Sequence, residues 1–216
     1  MSKLSFSIGQ LTISPLFWSL FLAAFLSSFS LWRKLKEDFE EEEIFSLTLL
    51  VLIVCFLGGW LWQKLVFFVY LSFWLGVGVI KLWAVKFKKN VWEILDGFAW
   101  WNLFFLFFGG LGLFLESDGL GNLGLCLAGL LGFLFYAFFQ KKYRSFGWYK
   151  SGKTGFLFWG TNFVVFSVLL LLAFLQKGSL YWDRLVLGAT ALICFGCLYY
   201  RSGRNLVEDL RIKWQK

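Results

Sequence analysis

The chain is built from apolar runs of about 17–20 residues that carry almost no charge, the length a helix needs to cross about 30 Å of hydrocarbon. Lipid offers a peptide group no hydrogen-bond partner, so only helices and closed barrels span it. These runs lack the in–out alternation of barrel strands. We therefore read helical spans at Pro15–Trp32, Ile44–Trp62, Leu65–Ala84, Gly97–Leu115, Leu120–Phe139, Phe156–Leu175 and Arg184–Tyr200. The expected fold class is all-α, an integral membrane helical bundle of about seven transmembrane helices. No linker interrupts residues 1–216, so one domain is expected.

The stretch Ile44–Ala84 is the hardest to divide. As one helix it would reach roughly 60 Å at 1.5 Å per residue, twice the bilayer. Gln63-Lys64 is the expected turn between two spans; a span followed by a half-buried or re-entrant segment is the alternative. Charge placement bears on the choice. Of 21 Lys and Arg, sixteen fall in Arg33–Lys36, Lys86–Lys89, Lys141–Lys153 and Arg201–Lys216. Seven spans put all four segments on one side, expected to be cytoplasmic by the positive-inside rule, with the N-terminus outside and the C-terminus inside. Merging Ile44–Ala84 into one span also gives a biased count, with the ends inverted, so the topology rests on span length more than on charge. The first run is too long for a signal peptide, and no small-x-small cleavage site follows it.

In a soluble protein a net charge of +8 would suggest nucleic acid. Here juxtamembrane Lys and Arg facing anionic head groups account for it, and no nucleic-acid partner is expected. Trp and Tyr near the span ends fit the same picture. No span centre carries a charge that would mark an ion path, so transport has little support.

Gly147–Thr154, GWYKSGKT, matches the P-loop pattern G-x4-G-K-T. That motif works only between a buried strand and a helix, where backbone N–H groups converge on phosphate. Here a basic segment precedes it and a membrane span follows. We expect a short basic loop and no nucleotide. Gly119–Gly124, GLGNLG, opens a membrane helix rather than following a strand, so it is no dinucleotide fingerprint. Gly124, Ala128 and Gly132 recur every four residues, a spacing that lets helices approach closely. Cys55, Cys126, Cys194 and Cys197 lie inside spans, and the C-x2-C of Cys194 and Cys197 has neither a second pair nor a histidine to complete a zinc set. They read as small apolar residues, and neither metal nor cofactor is expected. The charge run Arg33–Glu43 reads as a solvated loop whose glutamates open the next helix.

Near the C-terminus, Tyr200, Arg204, Glu208 and Arg211 share one helical face, with Glu208 placed to pair with both arginines. Two readings stay open: a surface helix laced with ion pairs, or two guanidiniums shaped for a lipid phosphate.

Phe6–Gly9 (FSIG), the charged turn, EEEIF, Phe56–Gly59 (FLGG) and the C-terminal Y-x3-R-x2-V-E-x2-R together resemble the bacterial prolipoprotein diacylglyceryl transferases. The resemblance covers residues 6–70 and 184–211. It implies a multi-pass protein of the bacterial plasma membrane that moves diacylglyceryl from phosphatidylglycerol to the lipobox cysteine of a prolipoprotein signal peptide. A thiolate would displace glycerol phosphate from the glyceryl carbon. By the resemblance Arg204 clamps the phosphate and Glu208 orients it, as the catalytic pair. Tyr200, Arg211, Gly58 and Gly59 line the substrate pocket, with Arg144 as a further basic candidate. The chain departs from the family in several places. It has no histidine, Leu127 standing at the closest match to the family's H-G-G. Trp60 replaces an arginine after Gly58-Gly59. The large external loop and the last helix are absent, and the family places the end of its R-x2-V-E helix outside, whereas the charge count places Lys216 inside. A degenerate, non-catalytic homologue that binds lipid or serves structurally is therefore the alternative.

Overall fold

A computed structural model of the chain describes residues 6–8, 11–60, 65–117, 120–146, 148–149, 151–176 and 181–204. A two-stranded antiparallel hairpin comes first, β1 (Phe6–Ile8) and β2 (Leu11–Ile13), with Phe6 opposite Ile13. Helices follow: α1 (Pro15–Leu35), α2 (Glu41–Trp60), α3 (Leu65–Lys86), α4 (Val91–Ser117), α5 (Leu120–Phe139), α6 (Phe156–Leu175) and α7 (Tyr181–Arg201). A single 3-10 turn, Tyr143–Ser145, lies between α5 and α6.

Local chemistry sets the ends. Ser14 caps α1, its hydroxyl accepting from the Phe17 N–H at 3.3 Å, and Pro15 follows at the first helical position. Three glutamates fill the first turn of α2, where a negative charge suits the helix dipole. Helix α3 stops at Lys88, whose φ of 54° is left-handed, while the Lys89 N–H reaches back to the Ala84 carbonyl at 2.9 Å.

Among the described residues, α1, α4, α5, α6 and α7 are long and apolar enough to cross a membrane. Helices α2 and α3, with 20 and 22 residues, each match the bilayer in length. They lie antiparallel: the Ser72 hydroxyl donates to the Cys55 carbonyl at 3.0 Å near one end, and Lys89 pairs with Glu43 at 2.9 Å near the other. Ile44–Ala84 is thus a pair of helices, and the expected turn residues Gln63 and Lys64 lie outside the described residues.

Helix α4 packs between α1 and α5, α6 between α5 and α7, and α3 ties the α2–α3 pair to α4 and α7. Close approach depends on glycine at two kinds of position. A Cβ on Gly110 of α4 would stand 2.8 Å from the Cys126 amide nitrogen of α5, and one on Gly132 would run into Leu103 of α4 and Val165 of α6. Polar links cross the interior: Asn102 donates to Asn162 at 2.7 Å, joining α4 to α6. The outer surface is apolar, with Phe25 of α1, Leu82 of α3 and Leu192 of α7 all largely exposed. In water such a surface would drive aggregation; in a bilayer it faces lipid.

Two elements differ from the sequence reading. Helix α4 begins at Val91, six residues before the expected Gly97, and so carries Glu93 and Asp96 inside a helix. The Arg33–Glu43 run is not simply a solvated loop. Lys34 bonds to Asp96 and Tyr136, Trp32 to Glu41, and Glu43 to Lys89. The physical reason is the same for both: Lys34, Glu43 and Asp96 each meet a hydrogen-bond partner from another helix end, which offsets the cost of leaving water.

Candidate functional site

One face of the bundle gathers the ends of α1, α3, α5 and α7 and the starts of α2, α4 and α6. Its cations come from Arg33–Lys36, Lys86–Lys89 and the segment between α5 and α6. At its centre is Asp96, on the second turn of α4 and 4% exposed. Its two carboxylate oxygens accept the backbone N–H groups of Gly155 at 2.7 Å and Phe158 at 2.8 Å. These are the N-cap and third-residue amides of α6, two of the donors that a helix start leaves without an internal partner. Gly155 has φ of +103°, and Trp92 lies 3.1 Å from where its Cβ would be. Only glycine meets both demands at once.

Two cations complete the cluster. The Lys34 ammonium donates to the Asp96 carbonyl at 2.7 Å and to the Tyr136 hydroxyl at 2.8 Å. Arg201, in the last turn of α7, donates through Nε (3.1 Å) and Nη2 (2.6 Å) to the Thr154 carbonyl, with its guanidinium 4.4 Å from the Trp92 ring centre. Both act electrostatically on the Asp96 carboxylate. One carboxylate and two cations thereby fasten five helices together.

The segment between α5 and α6 folds over this cluster. Tyr149 is fully buried and donates to the Lys153 carbonyl at 2.9 Å; burial pushes its phenol up from the ordinary value, so it stays a neutral donor. The Ser151 hydroxyl donates to the Arg201 carbonyl. Tyr143 stacks on Phe156 at 5.5 Å. Around this anchored core the cations Lys141, Lys142, Arg144 and Lys153 are all exposed, beside an exposed Phe146.

The P-loop-like motif can now be read physically. A bound phosphate would need the amides at the start of α6, and Asp96 already occupies two of them. The helix start just after the loop is filled by the chain's own Asp96.

Among the described residues, those singled out from the family pattern lie apart. Tyr200, on the last turn of α7, is 80% exposed. Arg204 lies beyond that helix, its Nε donating to the Trp148 carbonyl at 3.2 Å and its guanidinium over the Trp148 ring at 5.8 Å. Arg144 is exposed and donates to the Tyr143 hydroxyl at 3.2 Å. Glu208 and Arg211 lie outside the described residues. Gly58 and Gly59 end α2 at the other face, where Tyr70 of α3 donates to the Asp183 carbonyl at the start of α7 at 3.2 Å. The 21-residue α7 separates that face from Tyr200 by about 30 Å.

Lys34, Asp96, Tyr136 and Arg201 were not anticipated as a cluster. Asp96 had a signal: a carboxylate inside ILDGFAWW, an apolar context that tolerates a charge only when it is paired. Lys34 had none, since it is one lysine of a charged run. Among the described residues no group of His, Cys, Asp and Glu is arranged to hold a metal ion. Compared with models of known protein families, with curated proteins and with solved structures, the chain matches none.

Proposed function

We propose that the chain is a multi-pass membrane protein that binds anionic phospholipid, of the phosphatidylglycerol class, at its basic face and carries out no transfer chemistry of its own. One observation carries this reading. The charged groups at the heart of that face, Asp96, Lys34 and Arg201, are used to hold helix ends, whereas Lys141, Lys142, Arg144 and Lys153 stand exposed around them. A transferase needs the opposite arrangement, with its charged groups directed at the substrate. Exposed juxtamembrane cations are each worth about 1 kcal/mol toward an anionic leaflet.

Diacylglyceryl transfer, which the family resemblance implies, is the competing reading; it is favoured by Arg204, a guanidinium placed beside Trp148 at the membrane interface. Two measurements separate them. Native mass spectrometry of the purified protein should retain phosphatidylglycerol in preference to phosphatidylcholine. A strain depleted of its own diacylglyceryl transferase should not be rescued by this gene despite good membrane expression. Rescue that is lost on Arg204→Ala would establish the enzyme; equal retention of the two lipids would defeat the lipid-binding reading.

A further inference from the structure

The corners of the basic face differ in charge. Residues 33–43, between α1 and α2, carry three cations against six carboxylates, and Glu37, Asp38, Glu40, Glu41 and Glu42 are exposed. Residues 81–96 carry four cations against two carboxylates, residues 140–155 five cations and no carboxylate, and residues 201–204 two arginines. The α1–α2 corner is therefore acidic and the other three are basic, most of all the one between α5 and α6. Helix α2 packs on α1 and α3, and α5 on α4 and α6, so the acidic and the most basic corner belong to different sides of the bundle.

Both helices leave a straight apolar stripe uncovered. On α2 it is Phe45, Leu49, Ile53 and Phe56; on α5 it is Phe138, Leu134, Leu130 and Leu127. Counted away from the basic face, each stripe advances by four, four and three residues, about 16 Å in all. The exposed Glu42 stands three residues before Phe45, and the exposed Lys141 three residues beyond Phe138. One spacing is thus headed by a carboxylate on α2 and by an ammonium on α5. Among the described residues neither Glu42 nor Lys141 is in an ion pair. Copies of one chain share their orientation in a bilayer, which sets the two stripes at one depth and makes them antiparallel. Two acidic corners would repel and so would two basic ones; only the unlike pair attracts.

We propose that the α2 stripe of one copy of this chain packs against the α5 stripe of the next, with Glu42 of one copy facing Lys141 of the other. The contact joins different surfaces, so copies add head to tail into a row or a ring. Lys142, Arg144 and Lys153 remain for anionic lipid, and the contact does not depend on the lipid-binding reading above.

The test uses the full-length protein in phosphatidylcholine liposomes, where no anionic lipid competes for Lys141. Donor and acceptor fluorescent proteins are fused to the C-terminus of separate batches. Energy transfer between copies is expected at protein densities too low for chance proximity. Glu42→Lys alone, or Lys141→Glu alone, should lower the association roughly fivefold or more, because each puts like charges together. An equal mixture of the two variants should restore it, since every contact then joins unlike charges again. Both positions are exposed, so neither change disturbs the packed interior. Carbodiimide coupling of the parent, in a mixture of ¹⁴N and ¹⁵N copies, should link the Glu42 peptide of one isotope to the Lys141 peptide of the other. Transfer no higher than chance in the parent overturns the proposal, and lipid alone then covers the two stripes. Transfer unchanged by both single variants, or lost in them and not restored by mixing, overturns it as well.

Discussion

Replacing Asp96 by alanine should be among the most destabilising single changes in the bundle. The side chain is 4% exposed and satisfies two amides at the start of α6, at 2.7 and 2.8 Å. Each amide left unpaired in a poorly hydrated site costs about 1–3 kcal/mol. Lys34 and Arg201 keep their own hydrogen bonds, to the Asp96 main-chain carbonyl and the Thr154 carbonyl, so the two amides carry the cost. Hydrogen bonds in membrane bundles average only about 0.6 kcal/mol, but that figure suits Asn102–Asn162 and not one buried carboxyl group holding two backbone donors. The two amides together make about 3–5 kcal/mol, the middle of the doubled range. For a chain of this size that corresponds to a fall in Tm of roughly 6–20 °C. Thermal unfolding in mild detergent, followed by far-UV circular dichroism, measures it. Asp96→Asn keeps one acceptor but turns an NH₂ toward the second amide, and should fall between the parent and alanine. An Asp96→Ala variant within about 0.5 kcal/mol of the parent would refute the claim that this carboxylate holds α6.

Two further outcomes follow from the same geometry. Equilibrium dialysis with labelled ATP and Mg²⁺ should show no saturable binding, since Asp96 takes the Gly155 and Phe158 amides at the helix start that follows the GWYKSGKT loop; saturable binding abolished by Lys153→Ala would reverse that conclusion. Reporter fusions after Lys64 and after Lys153 should appear in opposite compartments, and a shared compartment would mean that α3 does not cross.

The helices were legible in the sequence because a bilayer imposes a length, and apolar runs of that length have few other uses. Span starts such as Pro15, Leu65, Leu120 and Phe156 coincide with helix starts for that reason. The exceptions are informative. The fourth apolar run starts at Gly97, whereas α4 starts at Val91 and carries Asp96 with its carboxylate turned to the α6 amides. The spacing of Gly124, Ala128 and Gly132 pointed to close packing, and Gly124 faces Leu172 of α6 while Gly132 sits between α4 and α6. The polar cluster was invisible because its members are far apart in the chain. Lys34 and Tyr136 are separated by 102 positions, and Arg201 and Thr154 by 47. No local pattern encodes which helix ends will meet; that depends on the packing order of the bundle.

Packing order also bears on the family resemblance through a parity argument. Gly58-Gly59 closes the second helix and Tyr200 closes the seventh, so five helices, α3 to α7, lie between the two blocks. An odd number of crossings puts their ends on opposite faces, however well each block matches the family by itself. Only an even number would bring them to one cavity, and that requires one of α3 to α7 to turn back within the membrane. The contacts run against such a reversal. Lys89 after α3 meets Glu43 at the start of α2, Lys34 at the end of α1 meets Asp96 near the start of α4, and Arg201 at the end of α7 meets Thr154 just before α6. All of these lie on the face opposite the Tyr70–Asp183 contact. The sixteen clustered cations all share one face when α2 and α3 are separate spans, which agrees with this parity. The reporter placed after Lys64 therefore decides two things together, the course of α3 and whether the two blocks that resemble a transferase can share a substrate.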